Sequence, residues 1–356
     1  MQGSRKAPLL AGLLASTALV IAPAVAADYH FDQVAMIHLQ GNTGHGDITT
    51  FDPSNNMLYV SMPQGGLNVV NTKTNEVEAY IDDVPSPNGV DWDAEHVYVA
   101  AADGVPAASS AGGIVTNAIV VISKKTWTEV GRVKTQGTSP DWLAVDRKAG
   151  ILYVDSDDKN WMEVYTTGDQ PQLKAKWPLY PFNSNIWFVN TADYTGPDVA
   201  ALVPDRQEIF QSDDSYVEVL DTATGAVKRN IDTGVTLTPK GGTKGEVYDA
   251  KNNRLWVATT GKEIFVLNPD TLATIAKLPQ KSGADMAVFD PGLGLIYVFE
   301  GGGKGFDVYD ANAMTHMTFV STGIGQTHTG DVDPGTHLVY AYGGNDRVIM
   351  VYKPVK

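Results

Sequence analysis

The chain has 356 residues and no cysteine, and its 26 Lys and Arg face 41 Asp and Glu, a formal net charge of −15. A chain of this length can bury a large core, and without cysteine no disulfide can hold the fold together. An acidic surface repels nucleic acid and anionic lipid headgroups at long range. We therefore expect a globular protein that depends on its core, with neither nucleic acid nor a membrane as partner.

The N-terminal segment is typical of a secretory signal peptide. Arg5 and Lys6 precede an apolar run over residues 9–21, and small residues follow over 22–27. The apolar run is shorter than the ~20 residues that a transmembrane helix needs. We expect residues 1–27 to be removed, residues 28–356 to form the mature protein, and the protein to be periplasmic.

One pattern recurs through the rest of the chain. It consists of an apolar-Tyr-Val-like strand, a polar turn, a β-branched strand, an Asp/Asn-Thr-rich turn and a third strand, as in RLWVATTGKEIFVLNPDTLATIAKL from Arg254. A further short strand precedes each copy. The copies are marked by the buried-type aromatic residues Tyr59, Tyr98, Tyr153, Phe210, Trp256, Tyr297 and Tyr340. Their mean spacing of about 47 residues holds four short strands, the length of one propeller blade.

The last copy stops after its third strand. Residues 30–40 (HFDQVAMIHLQ) form a lone strand with no blade of its own. Pairing this strand with the last copy would close the ring and cover two sheet edges. The sequence therefore predicts an all-β fold, a seven-bladed β-propeller over residues 28–356, whose last blade is closed by the N-terminal strand.

A family resemblance rests on the second strand of each copy. Tyr-Val pairs stand at 59–60, 98–99, 153–154 and 297–298, and DTATG follows a third strand at 221–225. In these features the chain resembles the YncE-like, YVTN-repeat propellers of the quinoprotein amine dehydrogenase-like, WD40/YVTN repeat-like superfamily. The resemblance covers essentially the whole mature chain and implies the seven-bladed fold. The superfamily includes binding proteins, lactonases, lyases and quinoprotein subunits, so it leaves the activity open.

Propeller geometry predicts where a site would lie. We call the four strands of a blade A to D from the channel outward; the D–A and B–C loops share one face, here the upper face, and the A–B and C–D turns share the lower face. The residues that open the innermost strands are polar: Asp47, Asn88, Asp141, Asp198, Lys244, Asp285 and His328. With Trp142, which follows Asp141, they are the predicted ligand-binding residues of a central funnel.

Acidic and long loops are expected on the same face. The B–C loops carry Asp103, Asp155, Asp157, Asp158, Asp213, Asp214, Glu300 and Asp346, and long insertions occupy residues 103–117, 183–197 and 233–243. Elaborated loops on a rigid scaffold commonly carry binding. The sequence thus predicts an acidic funnel on the upper face. The alternative is that these side chains only hydrate the channel and cap turns.

Two kinds of metal site fit this ring. His45, Asp47 and His328 are predicted to converge between blades 1 and 7, where imidazole and carboxylate ligands suit Zn, Mn or Cu. A ring of carboxylates would instead suit Ca²⁺, and its ligands would be Asp47, Asp141, Asp198 and Asp285. A divalent ion is therefore the cofactor that the residues suggest.

Aromatic side chains accompany the predicted funnel. They are Trp142, Trp161, Trp187 and Tyr194. Aromatic faces beside carboxylates suit sugars or organic cations. The alternative is that these rings only pack the insertions onto the scaffold.

No catalytic motif is present. The chain lacks Gly-x-Ser-x-Gly and cysteine, so no catalytic residue is assigned. The leading interpretation is a non-catalytic binding or scaffold protein that takes a small polar or cationic ligand, or a partner protein, at the funnel. The alternative is a metal-assisted hydrolase, lactonase or lyase, with a carboxylate as base and the ion polarising a carbonyl. A quinoprotein or haem-binding role comes third.

Overall fold

The computed structural model describes residues 29–44, 46–102, 117–156, 161–179, 196–235 and 242–356. Across these residues the strands form seven antiparallel four-stranded sheets. The sheets stand as blades around a central channel, which confirms the predicted seven-bladed all-β propeller. Within the described ranges, the helical structure is a single 3-10 turn at Pro204–Arg206, and no helix is long and apolar enough to cross a membrane. The predicted signal peptide lies outside the described residues.

Each blade takes its strands in chain order from the channel outward. After β1 (His30–His38), blade 1 comprises β2 (Thr49–Asp52), β3 (Met57–Met62), β4 (Gly66–Asn71) and β5 (Glu76–Ile81). Blade 2 comprises β6 (Pro87–Trp92), β7 (His96–Ala101), β8 (Ala118–Ser123) and β9 (Glu129–Lys134). Blade 3 comprises β10 (Pro140–Asp146), β11 (Ile151–Ser156), β12 (Trp161–Thr166) and β13 (Leu173–Pro178).

The remaining blades repeat this order. Blade 4 comprises β14 (Ala201–Val203), β15 (Glu208–Asp213), β16 (Tyr216–Asp221) and β17 (Val227–Asp232). Blade 5 comprises β18 (Thr243–Asp249), β19 (Arg254–Thr259), β20 (Glu263–Leu267) and β21 (Thr274–Pro279). Blade 6 comprises β22 (Met286–Asp290), β23 (Leu295–Glu300), β24 (Gly305–Asp310) and β25 (Thr315–Ser321), and blade 7 contains β26 (Gly330–Asp333), β27 (Leu338–Gly343) and β28 (Val348–Val355).

The N-terminal strand completes the seventh blade, as predicted. Strand β1 pairs antiparallel with β28, from His38 opposite Val348 to His30 opposite Val355. Ile37 of β1 is 2% exposed and belongs to a core cluster that also contains Tyr342 and Ile349. The ring is therefore closed by contacts between the two ends of the described chain.

Burial follows the position of a strand in its blade. Strands B and C are covered on both faces by neighbouring blades, so they are almost wholly buried, and the aromatic anchors lie there. Strands D lie at the rim and alternate between half-buried and exposed residues, as in β21. The apolar, β-branched B and C strands of the repeat thus supply the core, as strands buried on both faces require.

Carboxylates shape the turns of the lower face. Asp290, at the end of strand A, accepts hydrogen bonds from the N–H groups of Gly292 and Leu293. Asp221, at the end of a strand C, accepts them in the same way from Ala223 and Thr224. These bonds define Asx turns, which is the physical reason for the recurring Asp-Pro and Asp-Thr-x-Thr patterns.

On the upper face, side chains anchor the D–A loops. The hydroxyls of Thr135, Thr233 and Thr322 each donate to the carbonyl of the residue just before a strand C, respectively Asn117, Ser215 and Lys304. Carboxylates of the next blade also bind D–A loops: Glu163 accepts from the N–H groups of Gln136 and Gly137, and Asp307 from that of Lys281. These bonds fix the point at which each following strand A begins.

Ring closure can be tested with two adjacent residues of β1. Ile37→Ala is expected to lower the free energy of unfolding by about 2–5 kcal/mol because it leaves a cavity in the seam between the first and last blades. Met36→Ala is the matched control, since Met36 is 43% exposed and its loss should change stability by no more than about 0.5 kcal/mol. Urea denaturation followed by tryptophan fluorescence measures both. Equal effects in the two variants would contradict the seam assignment.

Candidate functional site

Glycines let the inner strands approach each other at the upper end of the channel. Gly89 and Gly245 follow the ring residues Asn88 and Lys244, and a Cβ on either would clash with the backbone of the neighbouring strand A at Asp141 or Asp285. The Gly245 N–H also donates to the Asp285 carbonyl at 2.7 Å. Only glycine permits this approach, so the residues before these glycines are held close to the channel axis.

Charged side chains from five blades converge there. The Lys244 ammonium forms an ion pair with Asp198 and lies 3.7 Å from Asp285. His328 Nε2 lies 2.7 Å from the second oxygen of Asp285. Asp47, from a fifth blade, interacts electrostatically with all of these groups. We call the set of Asp47, Asp141, Asp198, Lys244, Asp285 and His328 the upper mouth.

The two cationic groups of the upper mouth are held in their charged forms. Burial by itself lowers the pKa of His328, but Asp285 and then Asp47 outweigh burial and raise it to about 9. Burial likewise opposes the charge of Lys244, yet Asp198 and Asp285 raise the pKa of its ammonium above its usual value. Both side chains are therefore protonated at neutral pH.

Asp47 titrates in the neutral range. Burial raises the pKa of Asp47 to about 7; His328 opposes the shift, whereas Asp285 and Asp198 add to it. Burial also raises the pKa of Asp198, against the attraction of Lys244. A carboxyl group with a pKa near 7 can both accept and donate a proton at neutral pH.

The remaining predicted residues lie in or beside the upper mouth. Asp141 contributes to the raised pKa of Lys244. The Asn88 amide donates to the Pro140 carbonyl at 3.3 Å, which ties blade 2 to blade 3. Trp142 is buried, its N–H donates to Asp155, and it lines the channel below the mouth.

The structure bears on the two predicted metal sites in different ways. His45 lies outside the described residues, and among the described residues no three His, Asp or Glu side chains form a group that could hold a metal ion. In the predicted carboxylate ring, the Lys244 ammonium supplies the positive charge beside Asp198 and Asp285. A cation bound there would have to compete with it.

Most of the described B–C loop carboxylates are buried and so do not form an open acidic funnel, although Asp346 is exposed. Asp155, Asp213 and Glu300 are all buried. Asp155 accepts a hydrogen bond from the Trp142 N–H, and Glu300 one from the Ser282 hydroxyl. Burial raises the pKa of Glu300 to about 9, so this group is neutral at pH 7. These side chains brace the upper face from within instead of presenting charge to solvent.

Several predicted features fall outside the described residues. They are Trp187 and Tyr194, the acidic residues Asp103, Asp157 and Asp158, and most of the three insertions. Trp161 is described: its indole N–H donates to Glu163 at 3.0 Å and the Lys176 ammonium lies 3.8 Å from its ring. Both contacts are to its own blade, in agreement with the packing alternative.

Below the mouth the channel contains a cavity of about 290 Å³ that is lined by both apolar and polar side chains. At its lower end lie two carboxylates that the ring alignment missed. Asp91 pairs with Arg147 and accepts from the Val145 N–H, and Asp331 accepts from the Phe51 N–H at 2.7 Å. Each carboxylate thereby ties its inner strand to that of the next blade. The available signal was an acidic residue in the middle of a short inner strand, as in GVDWD and GDVDP.

Comparison with known proteins supports the fold. No family model matches the chain, and no curated protein matches it in sequence. The chain is similar in structure to the β-propeller domain of Cps50 (Swd1) from Myceliophteria thermophila, with a TM-score of 0.71 and 8% identity over 91% of this chain and 99% of that one. It is also similar to a chain of the Mitotic Checkpoint Complex, with a TM-score of 0.72 and 11% identity over 97% and 99%. The chain thus shares the β-propeller fold of these proteins.

The role of Lys244 can be tested by removing its charge. Lys244→Met leaves Asp198 and Asp285 without their shared ammonium, which should cost about 3–5 kcal/mol of stability at pH 7. The deficit should shrink as the pH falls, because protonation of the two carboxylates removes the uncompensated charge. Lys125→Met, an exposed residue of the lower face, is the control and should have little effect. A deficit that is independent of pH would contradict this electrostatic role.

The raised pKa of His328 leads to a separate prediction about how stability depends on pH. Because its pKa is raised to about 9 in the folded protein, its contribution to stability is complete below the ordinary histidine value of 6.5 and is lost as the pH rises through 9. His328→Gln should therefore be less stable than the wild type at pH 6, and the gap should close by about pH 10. Urea midpoints across this range measure the gap. A constant gap would show that His328 stays neutral.

Proposed function

We propose that the protein is a periplasmic, non-catalytic binding protein of the YncE-like YVTN-repeat type, and that its upper mouth holds a small polar ligand. The observation that carries the proposal is the convergence of Asp47, Asp198, Lys244, Asp285 and His328 from separate blades onto one end of the channel. The signal-peptide pattern of residues 1–27 supports the location.

The chemistry of the upper mouth favours a ligand with both donors and acceptors. Its side chains carry charges of both signs and are partly exposed: 12% for Lys244, 14% for Asp285 and 28% for His328. A zwitterion could exchange partners with the existing pairs, its ammonium meeting the carboxylates and its carboxylate meeting Lys244 and His328. Such an exchange keeps every buried charge compensated.

A partner protein is the other candidate occupant of the upper face. Propellers of the WD40 type serve as scaffolds, and the similar chain of the Mitotic Checkpoint Complex is itself part of a protein assembly. The D–A and B–C loops that surround the upper mouth would form the contact surface, since loops on a rigid scaffold commonly carry binding.

A specific observation also favours acid–base catalysis as a second candidate. Asp47, with a pKa of about 7, stands beside the ion pair of His328 and Asp285. A hydrolase or lyase needs a group that exchanges a proton near neutral pH, and Asp47 meets this requirement. Lys244 and His328 would then stabilise negative charge that develops on the substrate. Hydrolysis of a lactone or ester that is lost in Asp47→Asn would favour this candidate.

Ligand binding at the upper mouth is tested with three probes: lysine, putrescine and glucose. Lysine is expected to raise the thermal unfolding temperature more than either of the others, because it carries charges of both signs. Asp285→Asn should abolish this response. Asp346→Asn is the matched control, since Asp346 is an exposed carboxylate of the same face, and it should respond like the wild type. A response that survives in Asp285→Asn would count against the proposed site.

A further inference from the structure

We propose that the lower end of the channel is a second ligand site, which binds a primary amine with an apolar or aromatic body through the carboxylate of Asp331. This site lies at the opposite end of the channel from the upper mouth and does not depend on it. We call it the lower vestibule and define it by Phe51, Pro53, Tyr248, Phe289, Pro291 and Pro334 around Asp331.

The shape of the lower vestibule suits a small organic molecule. Asp331 lies in the wall of three adjoining cavities of about 290, 480 and 620 Å³. The cavity defined above is walled by prolines of the A–B turns and by aliphatic and aromatic side chains of the inner strands. Cavities of about 300–1,000 Å³ with apolar walls and a few polar groups are typical of small-molecule sites.

The surroundings of the Asp331 carboxylate differ from those of Asp91, Asp198 and Asp285. Its two oxygens accept hydrogen bonds from the backbone N–H groups of Phe51 and Val332, each at 2.7 Å. Among the described residues, no lysine, arginine or histidine lies within ion-pair distance of Asp331. Asp91, Asp198 and Asp285, by contrast, all pair with a basic side chain.

Arg147, the cationic side chain in the wall of the 290 Å³ cavity, is already engaged. The Arg147 guanidinium pairs with Asp91 and stacks on the Trp92 ring, with its carbon 3.7 Å from the ring centre. Burial raises the pKa of Asp331 to about 7, and the nearby Asp91 and Asp333 add to the shift while the two N–H donors oppose it. When Asp331 is ionised, its charge therefore has no basic side chain to pair with among the described residues.

A ligand ammonium would supply the missing charge. A carboxylate has about four lone-pair positions, and the two backbone donors use two of them, so the N–H groups of an ammonium can reach the others. Charge-assisted bonds of this kind are about twice as strong as neutral ones. The apolar walls would bury the body of the amine, and Tyr248 offers an aromatic face near the charge.

The test uses 2-phenylethylamine as the probe and 2-phenylethanol as its neutral counterpart, at about pH 8, where Asp331 is ionised. Calorimetry on the full mature protein should show that the amine binds at least about tenfold more tightly than the alcohol. Asp331→Asn should weaken amine binding by about tenfold or more and leave alcohol binding unchanged. Asp285→Asn, in the upper mouth, is the matched control and should leave amine binding unchanged.

A measurement on the unmodified protein covers the case in which Asp331→Asn does not fold. In an NMR titration with 2-phenylethylamine, the amide signals of Phe51 and Val332 should shift most, because these groups donate to Asp331. Equal affinity for amine and alcohol would overturn the proposal. So would shifts confined to residues around His328, or amine binding that is lost in Asp285→Asn, since both would move the amine to the upper mouth.

Discussion

The pairing of β1 with β28 is the constraint on which the structure depends. It joins the two ends of the described chain in one sheet and closes the ring. In a closed ring every strand A faces the same axis, so residues far apart in sequence, such as Asp47 and His328, become neighbours at the channel mouth. The ionic site is therefore a consequence of ring closure, since no local motif brings its members together.

Several carboxylates lie close together around one axis and repel one another. The two ends of the channel offset this repulsion with different groups. At the upper mouth, Lys244 bridges Asp198 and Asp285, and His328 pairs with the latter. At the lower end, Asp91 has Arg147, whereas the donors to Asp331 among the described residues are backbone N–H groups. One propeller thus presents a mouth where charges of both signs meet and a vestibule whose carboxylate lacks a basic partner in the described part of the chain, and the two ends suit different ligands.

The repeat pattern predicted the blades because each blade needs the same buried B and C strands, and it predicted closure because the last copy lacks a strand. Aligning the copies also selected Asp47, Asp198, Lys244, Asp285 and His328, whose charged groups lie together in the structure. The alignment could not reveal that B–C loop acids such as Glu300 are buried. An exposed and a buried carboxylate in such a loop are the same residue type, so the sequence does not distinguish them. Asp331 escaped notice because its strand looks like any short inner strand.

The ionic upper mouth is not explained by stability alone. Networks of partly buried ions gain little over apolar residues of similar volume, since desolvation offsets their attraction, and seven apolar residues at the strand starts would close the channel more simply. The neighbouring Trp142 and Ile48 show that apolar side chains fit this channel. Charged groups placed on a rigid frame, with Asp47 titrating near neutrality, are instead what a binding or proton-exchanging site requires. This cost to stability is the physical argument for a function at the mouth.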